Sequence, residues 1–290
     1  MTEFLTLPDG RQLAYEEYGD PAGFPVLSCH GGMSSRLDAV PAHEAALSAR
    51  VRLLSPDRPG MGLSTFQPGR TLLDWPGDVA HLMTALGIDR FAVMGWSAGG
   101  PYAAACAATL GRRVTAAALL SSSVPFDAFG TRRGLAAEDR GFLFLSQHVP
   151  RVASTVLKLG LVNATNERFL RAMLRSFPPV DRSLIAQWGP PELALSFARE
   201  SMRQGTAGCI WDYRVFGDPW GFALEDIAVP TSIWEGTEDR TGPPAYREYL
   251  HTHIAGSTLT VVPGEGHLSL LAHQAPAIFD VLLTAGSGPG

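Results

Sequence analysis

Two short apolar segments open the chain, Phe4-Leu5-Thr6-Leu7 and Gln12-Leu13-Ala14-Tyr15, on either side of Pro8-Asp9-Gly10. Turn residues between two such runs predict an antiparallel hairpin. From Val26 onward the spacing changes, and short, continuously apolar runs alternate with longer segments of helical pattern. The runs predict strands at Val26–Cys29, Val51–Leu54, Phe91–Met94 and Ala116–Leu120. Between them, helices are predicted near Leu37–Ala49, from about Leu72 to Leu86, and from Pro101 to Leu110. Strands without polar alternation are buried on both faces, so the pattern predicts a mainly parallel sheet flanked by helices.

Past Val124 the alternation stops. Up to about Pro230 the patterns are helical, as in Phe169–Arg175, and Pro178-Pro179 and Gly189-Pro190-Pro191 read as helix boundaries. Strands resume at Thr231-Ser232-Ile233-Trp234 and again at Ser257–Pro263. The expected organisation is an α/β core of residues 1–124 and 231–290, with a helical cap, 125–230, inserted after the sixth strand. No internal repeat is visible, and the glycine-rich end, 286–290, is expected to fray.

Composition narrows the function classes. A 46% hydrophobic content with 18% charged residues fits a large folded core. The net charge of −5 gives no electrostatic basis for binding nucleic acid or an anionic membrane. Met1-Thr2-Glu3 leads directly into a strand pattern with no signal-peptide regions. No apolar run reaches the ~20 residues that span a bilayer. The expectation is a soluble, cytoplasmic protein acting on a small molecule. Cys29, Cys106 and Cys209 are too few and scattered for a disulfide framework or a metal site. Cys29 and Cys106 are expected to serve as small core residues.

The candidate chemistry starts at Gly95-Trp96-Ser97-Ala98-Gly99, between the Phe91 strand and an alanine-rich helix. With 31 glycines among 290 residues, such a pentapeptide arises by chance roughly 0.2 times in a chain of this size. Its context therefore carries the argument: strand, tight turn, helix is the setting of a nucleophile elbow. A serine hydroxyl is a weak nucleophile without a base, so a histidine and an acid are needed elsewhere. The Thr231 strand runs into Glu235-Gly236-Thr237-Glu238-Asp239, and the Ser257 strand into Gly264-Glu265-Gly266-His267. Both turns fall at strand C-termini, where functional groups collect in such sheets. Asp239 is the expected acid, with Glu238 and Glu235 as alternatives.

These motifs, in the order Ser97, Asp239, His267, resemble those of the α/β-hydrolase family, and the similarity extends over nearly the whole chain. His30-Gly31-Gly32 resembles the family's oxyanion loop, and Asp57-Arg58-Pro59-Gly60-Met61-Gly62-Leu63-Ser64 the turn after its next strand. The resemblance implies an α/β-hydrolase sheet with a helical cap after strand six. It also implies a catalytic triad of Ser97, Asp239 and His267, an oxyanion hole built from Gly32 and Ala98, and no cofactor or metal. Met33 is the alternative to Gly32. A serine nucleophile departs from members that cleave carbon–halogen bonds or open epoxides, which carry aspartate there. The elbow also lacks the Gly-Gly-Ser-Trp-Gly pattern of proline iminopeptidases.

The expected activity is cleavage of a carboxylic ester or lactone of a small, largely apolar substrate through an acyl-enzyme. The alternatives are a proline iminopeptidase-like aminopeptidase and a non-catalytic ligand-binding member of the fold. An aminopeptidase would need cap carboxylates to hold an ammonium, and Glu138, Asp139, Glu167, Asp181, Glu192 and Glu200 are scattered among arginines such as Arg140 and Arg168. His30 is expected to support the oxyanion loop, and the Asp57–Gly60 segment to act as a structural turn. The cap aromatics Phe142, Phe144, Phe177, Trp188, Trp211 and Phe216 are expected mainly to pack, with some lining a pocket. The surplus of basic residues over 125–190, nine against five acidic, is largely cancelled over 191–230, three against six, and reads as a solvated face.

Overall fold

Neighbouring residues in the apolar runs point to opposite faces of the sheet, and both faces are covered. The computed structural model describes residues 1–128, 135, 137–163, 174–188 and 191–286. Its strands are β1 (Glu3–Thr6), β2 (Gln12–Gly19), β3 (Phe24–Cys29), β4 (Val51–Pro56), β5 (Phe91–Trp96), β6 (Val114–Leu120), β7 (Thr231–Gly236) and β8 (Thr258–Val262). They form one sheet in the order β1-β2-β4-β3-β5-β6-β7-β8. The β1–β2 and β2–β4 pairs are antiparallel and the rest are parallel. The hairpin closes where the Leu7 N–H donates to the Arg11 carbonyl at 2.8 Å.

Among the described residues the α-helices that precede β6 are α1 (His43–Ser48), α2 (Asp74–Ala85) and α3 (Gly100–Thr109). Leu27, Val93, Leu119 and Ile233 face one layer, where Trp75, Val79 and Tyr102 of α2 and α3 are buried. Val26, Ala92, Met94 and Ala118 face the other, against the apolar side of a long C-terminal helix bearing Leu270, Ile278 and Phe279. Cys29 and Cys106 are buried in the first layer. The segment read as one helix over Leu37–Ala49 is divided: a 3-10 helix spans Arg36–Ala42 and α1 follows. Pro41 lies inside the first piece and has no N–H to donate, which interrupts a continuous α-helical ladder.

The cap contributes α4 (Ala137–His148), α5 (Pro150–Asn163), α6 (Pro179–Trp188), α7 (Pro191–Ser201) and α8 (Ala207–Gly217) between β6 and β7. Pro179 and Pro191 each open a helix, where the missing N–H costs nothing. The expected helix over Phe169–Arg175 lies largely outside the described residues. Beyond β7 come α9 (Pro244–His253) and α10 (His267–Gly286). Among the described residues α10 alone has the length and apolarity of a membrane span, and its apolar side packs on the sheet.

Cap and core meet through buried charge. Asp212 of α8 pairs with Arg58, after β4, at 2.8 Å, and also with Arg70 and with the Tyr102 hydroxyl at 2.8 Å. Arg58 stacks over the Tyr102 ring 4.5 Å from its centroid. Burial opposes ionisation of Asp212, but the two guanidiniums outweigh it and hold the carboxyl well below its ordinary range. Glu200 of α7 reaches Arg36 at 2.8 Å, and Gln204 donates to the Gly62 carbonyl at 2.9 Å.

Removing one partner of a buried ion pair strands the others without water, a cost of about 3–5 kcal/mol. Asp212→Ala is therefore expected to lower unfolding free energy in urea by about 3 kcal/mol or more. Arg203→Ala, which removes an exposed pair with Glu200, should change it by less than about 1 kcal/mol. Equal effects from the two substitutions would contradict this description of the cap–core contact.

Candidate active site

The apolar run of β5 reverses direction at Ser97, whose φ is +56°. A side chain rarely occupies that region without strain, and the surroundings enforce it. A Cβ on Gly95 would strike the Gly99 carbonyl, and one on Gly99 the Cys29 carbonyl of β3. Glycine at both positions lets strand, turn and helix close on one another. The turn lifts Ser97 out at the C-terminal edge of the sheet, and α3 begins three residues later.

Two further strand ends bring up the acid and the histidine. After β7, the Thr237 N–H donates to the Val262 carbonyl at 3.0 Å and the Glu238 N–H to that of Glu265 at 2.8 Å, which ties the two turns together. Asp239 Oδ2 then lies 2.7 Å from His267 Nδ1. The Thr241 N–H (2.8 Å) and hydroxyl both donate to Asp239 Oδ1, and the same hydroxyl stands 2.6 Å from His267 Nδ1. With Nδ1–H committed to the carboxylate, Nε2 is the nitrogen left to accept a proton. Trp96 fixes the residue from the other side: its Nε1–H donates to the His267 carbonyl at 2.9 Å, and its ring lies 4.9 Å from the imidazole.

Burial disfavours a charged His267, but the charge and hydrogen bond of Asp239, with Asp181 and Glu235, outweigh it and raise the pKa. Burial likewise opposes ionisation of Asp239, yet His267, Thr241 and Ser121 hold that carboxyl well below its ordinary range. Of the alternative acids, Glu238 is exposed. Glu235 is pushed up to about 8 by burial and by the Asp239 charge beside it. Asp239 is the acid that contacts the imidazole.

Gly32 and Ala98 face each other, since a Cβ on Gly32 would stand 3.4 Å from that of Ala98. Both line a cavity of about 360 Å³ together with Met33, Ser97 and His267. The loop that carries Gly32 is braced by His30 and by two groups the sequence did not assign to it, Asp38 and Arg58. Asp38 Oδ2 accepts the Gly31 N–H at 2.7 Å. Arg58 donates to the Gly31 carbonyl at 2.9 Å and to that of His30. His30 Nε2 accepts the Arg58 N–H at 3.1 Å while Nδ1 donates to the Gly31 carbonyl at 2.9 Å. Burial, then the Arg58 charge, hold His30 neutral. The Asp57–Gly60 turn is structural, and its arginine is also the link between the loop and Asp212 of the cap.

A second chamber of about 180 Å³ adjoins the first, sharing Gly32, Met33, Trp96, Phe177 and Leu268. Its wall is apolar (Leu174, Ile185, Trp188, Phe197, Leu271) except for Ser34 and Asp38. Of the cap aromatics, Phe177 lines both spaces, Trp188 the apolar one and Phe216 the one holding Ser97. Phe142 instead packs on Tyr213, Phe144 is exposed, and Trp211 donates to the Arg70 carbonyl. Among the cap acids, Asp139 lines the Ser97 cavity and Asp181 is fully buried, while Arg140 is exposed. Glu167 and the side chains of Glu138 and Glu192 lie outside the described residues.

An imidazole NMR titration checks this electrostatic arrangement. His267 should titrate above its ordinary value and His30 should stay neutral at mildly acid pH. Asp239→Asn removes the charge that raises His267 and leaves the burial that lowers it, so the pKa should fall. A His267 pKa unmoved by Asp239→Asn would contradict the pairing.

Comparison with known proteins identifies the family. An uncharacterized hydrolase of Bacillus subtilis, YcgS, is 25% identical over 281 residues, 95% of each chain. A proline iminopeptidase of Xylella fastidiosa is 36% identical over 109 residues, covering 36% of this chain and 34% of that one. A thermophilic esterase from Thermogutta terrifontis, with malate bound, superposes with a TM-score of 0.72 at 20% identity, covering 99% of this chain and 100% of its own. The sequence model of the alpha/beta hydrolase family matches residues 26–280. The chain is a member of the alpha/beta hydrolase family.

Proposed function

We propose that this hydrolase cleaves a carboxylic ester or lactone of a small, largely apolar substrate, with Ser97 as nucleophile, His267 as base and Asp239 as the acid that orients it. The observation that carries the reading is the shared cavity: Ser97, His267, Gly32 and Ala98 line it, and Asp239 occupies the opposite nitrogen of the imidazole. Ser97 Oγ attacks the carbonyl carbon while His267 Nε2 takes its proton. The oxygen that becomes negative is held by the N–H groups of Gly32 and Ala98, each worth about 3–4 kcal/mol in the transition state. His267 then protonates the departing alcohol. Water, activated by the same nitrogen, releases the acid and restores the serine. No step requires a cofactor. The helices over 125–230 act as the cap, on a core of 1–124 and 231–290, and the apolar chamber beside the serine suits an apolar arm of the substrate.

One observation favours aminopeptidase chemistry as the second reading. Asp139 lines the Ser97 cavity, and its charge contributes to raising the pKa values of Tyr213 and Tyr246, beyond the effect of their burial. A substrate ammonium would find one carboxylate there.

Turnover of p-nitrophenyl esters should exceed that of prolyl-naphthylamide by at least about 100-fold in kcat/KM, roughly 3 kcal/mol of transition-state binding. Comparable values, or a preference for the amide, would overturn the ester reading. Ser97→Ala and His267→Ala should each cost several decades in kcat and the double variant little more, because the residues act as a unit. Additive losses would contradict the shared role.

A further inference from the structure

Asp181 belongs to cap helix α6, yet its carboxylate is fully buried against the turn that carries the histidine. Oδ2 accepts the N–H of His267 at 3.0 Å, and Oδ1 accepts those of Leu268 at 3.2 Å and Ser269 at 2.9 Å. These are the first N–H groups of α10, which no carbonyl within that helix can satisfy. A negative charge there also faces the positive end of the helix dipole. The same cap helix presents Ile185 and Trp188 to the apolar chamber. One element thus touches both the space beside the serine and the backbone of the histidine.

We propose that Asp181 is a positioning residue for His267, which ties the imidazole to the cap helix that lines the apolar chamber. The proposal rests on the reading of His267 as the base. It accounts for a fully buried carboxylate whose three acceptor bonds all serve the first turn of α10. An apolar substrate arm that packs on Ile185 and Trp188 holds α6 in place, and through Asp181 it holds the base. Binding energy from that remote arm is then expressed in kcat rather than in KM alone. Other titratable groups also face His267. Asp239 and Glu235 come from the end of β7, and Asp38 from the 3-10 segment after the oxyanion loop. Asp181 differs from these in acting through the backbone of the histidine itself.

The test measures kcat and KM for p-nitrophenyl acetate and hexanoate from pH 5 to 9, in the parent, in Asp181→Asn and in the surface control Glu44→Gln. Asp181→Asn keeps an acceptor but removes the charge. It should lower kcat about tenfold, the scale of a small misplacement of a catalytic group, with KM for the acetate within about twofold. The acid limb of the kcat/KM profile should move to lower pH, and the kcat advantage of hexanoate over acetate should disappear. Glu44→Gln should change none of these. An acid limb and a hexanoate-to-acetate ratio that both stay at parent values would overturn the proposal, whatever happens to the melting temperature. Should Asp181→Asn not fold, Asp181→Ser, with a single neutral acceptor, is read in the same way. Failure of both to fold would assign Asp181 to cap stability alone and also overturn the proposal. A parent inactive on both esters would refute the ester reading instead. The His267 titration by NMR in Asp181→Asn would then decide the proposal, with an unmoved pKa against it.

Discussion

The reversal of the chain at Ser97 is the constraint around which the rest is arranged. A serine at φ +56° is held against its own preference, so its neighbours must leave no relaxed alternative. Gly95 and Gly99 allow β5, β3 and α3 to approach until the backbones touch. The apolar packing on both faces of the sheet fixes the strands that enclose the turn. Because β5 lies centrally, with β3 on one side and β6 on the other, the groups arriving from neighbouring strand ends converge on one point.

The polar contacts that converge there divide by what they support. Asp239 and Thr241 determine which imidazole nitrogen carries the proton. Asp38, Arg58 and His30 set the path of the loop bearing Gly32. Both groups are reached from the cap by buried carboxylates: Asp212 through Arg58, and Asp181 through the first turn of α10. Apolar packing alone would let cap helices slide, since it is non-directional. Buried charges held by hydrogen bonds are directional and costly to break, so they fix where the cap sits relative to the site.

How much of this was legible in the sequence follows from the range of the interactions. The strands of the core, the hairpin at Pro8-Asp9-Gly10 and the cap after strand six were readable because apolar period and turn residues are local signals. The family was readable from several short motifs in register. The elbow was readable because its glycines and serine lie within five residues. The split of the helix at Pro41 was open to the same local reasoning, since the proline stood in the middle of the segment, and the pattern of apolar residues around it outweighed it. Asp181 and Asp212 gave no local sign. Their partners are 86 to 88 and 110 to 154 residues away, and an aspartate in a helical segment otherwise reads as a solvated position. Arg58 was assigned only half of its place, because the turn motif it belongs to says nothing about the carbonyls of His30 and Gly31.

The central claim is that the strained serine is the group that becomes acylated. Treating the protein with a fluorophosphonate and mapping the modified peptides by mass spectrometry tests it most directly. The account predicts stoichiometric label on Ser97, abolished in His267→Ala although Ser97 is still present. Label on any other serine, or none on protein that still hydrolyses esters, would contradict it.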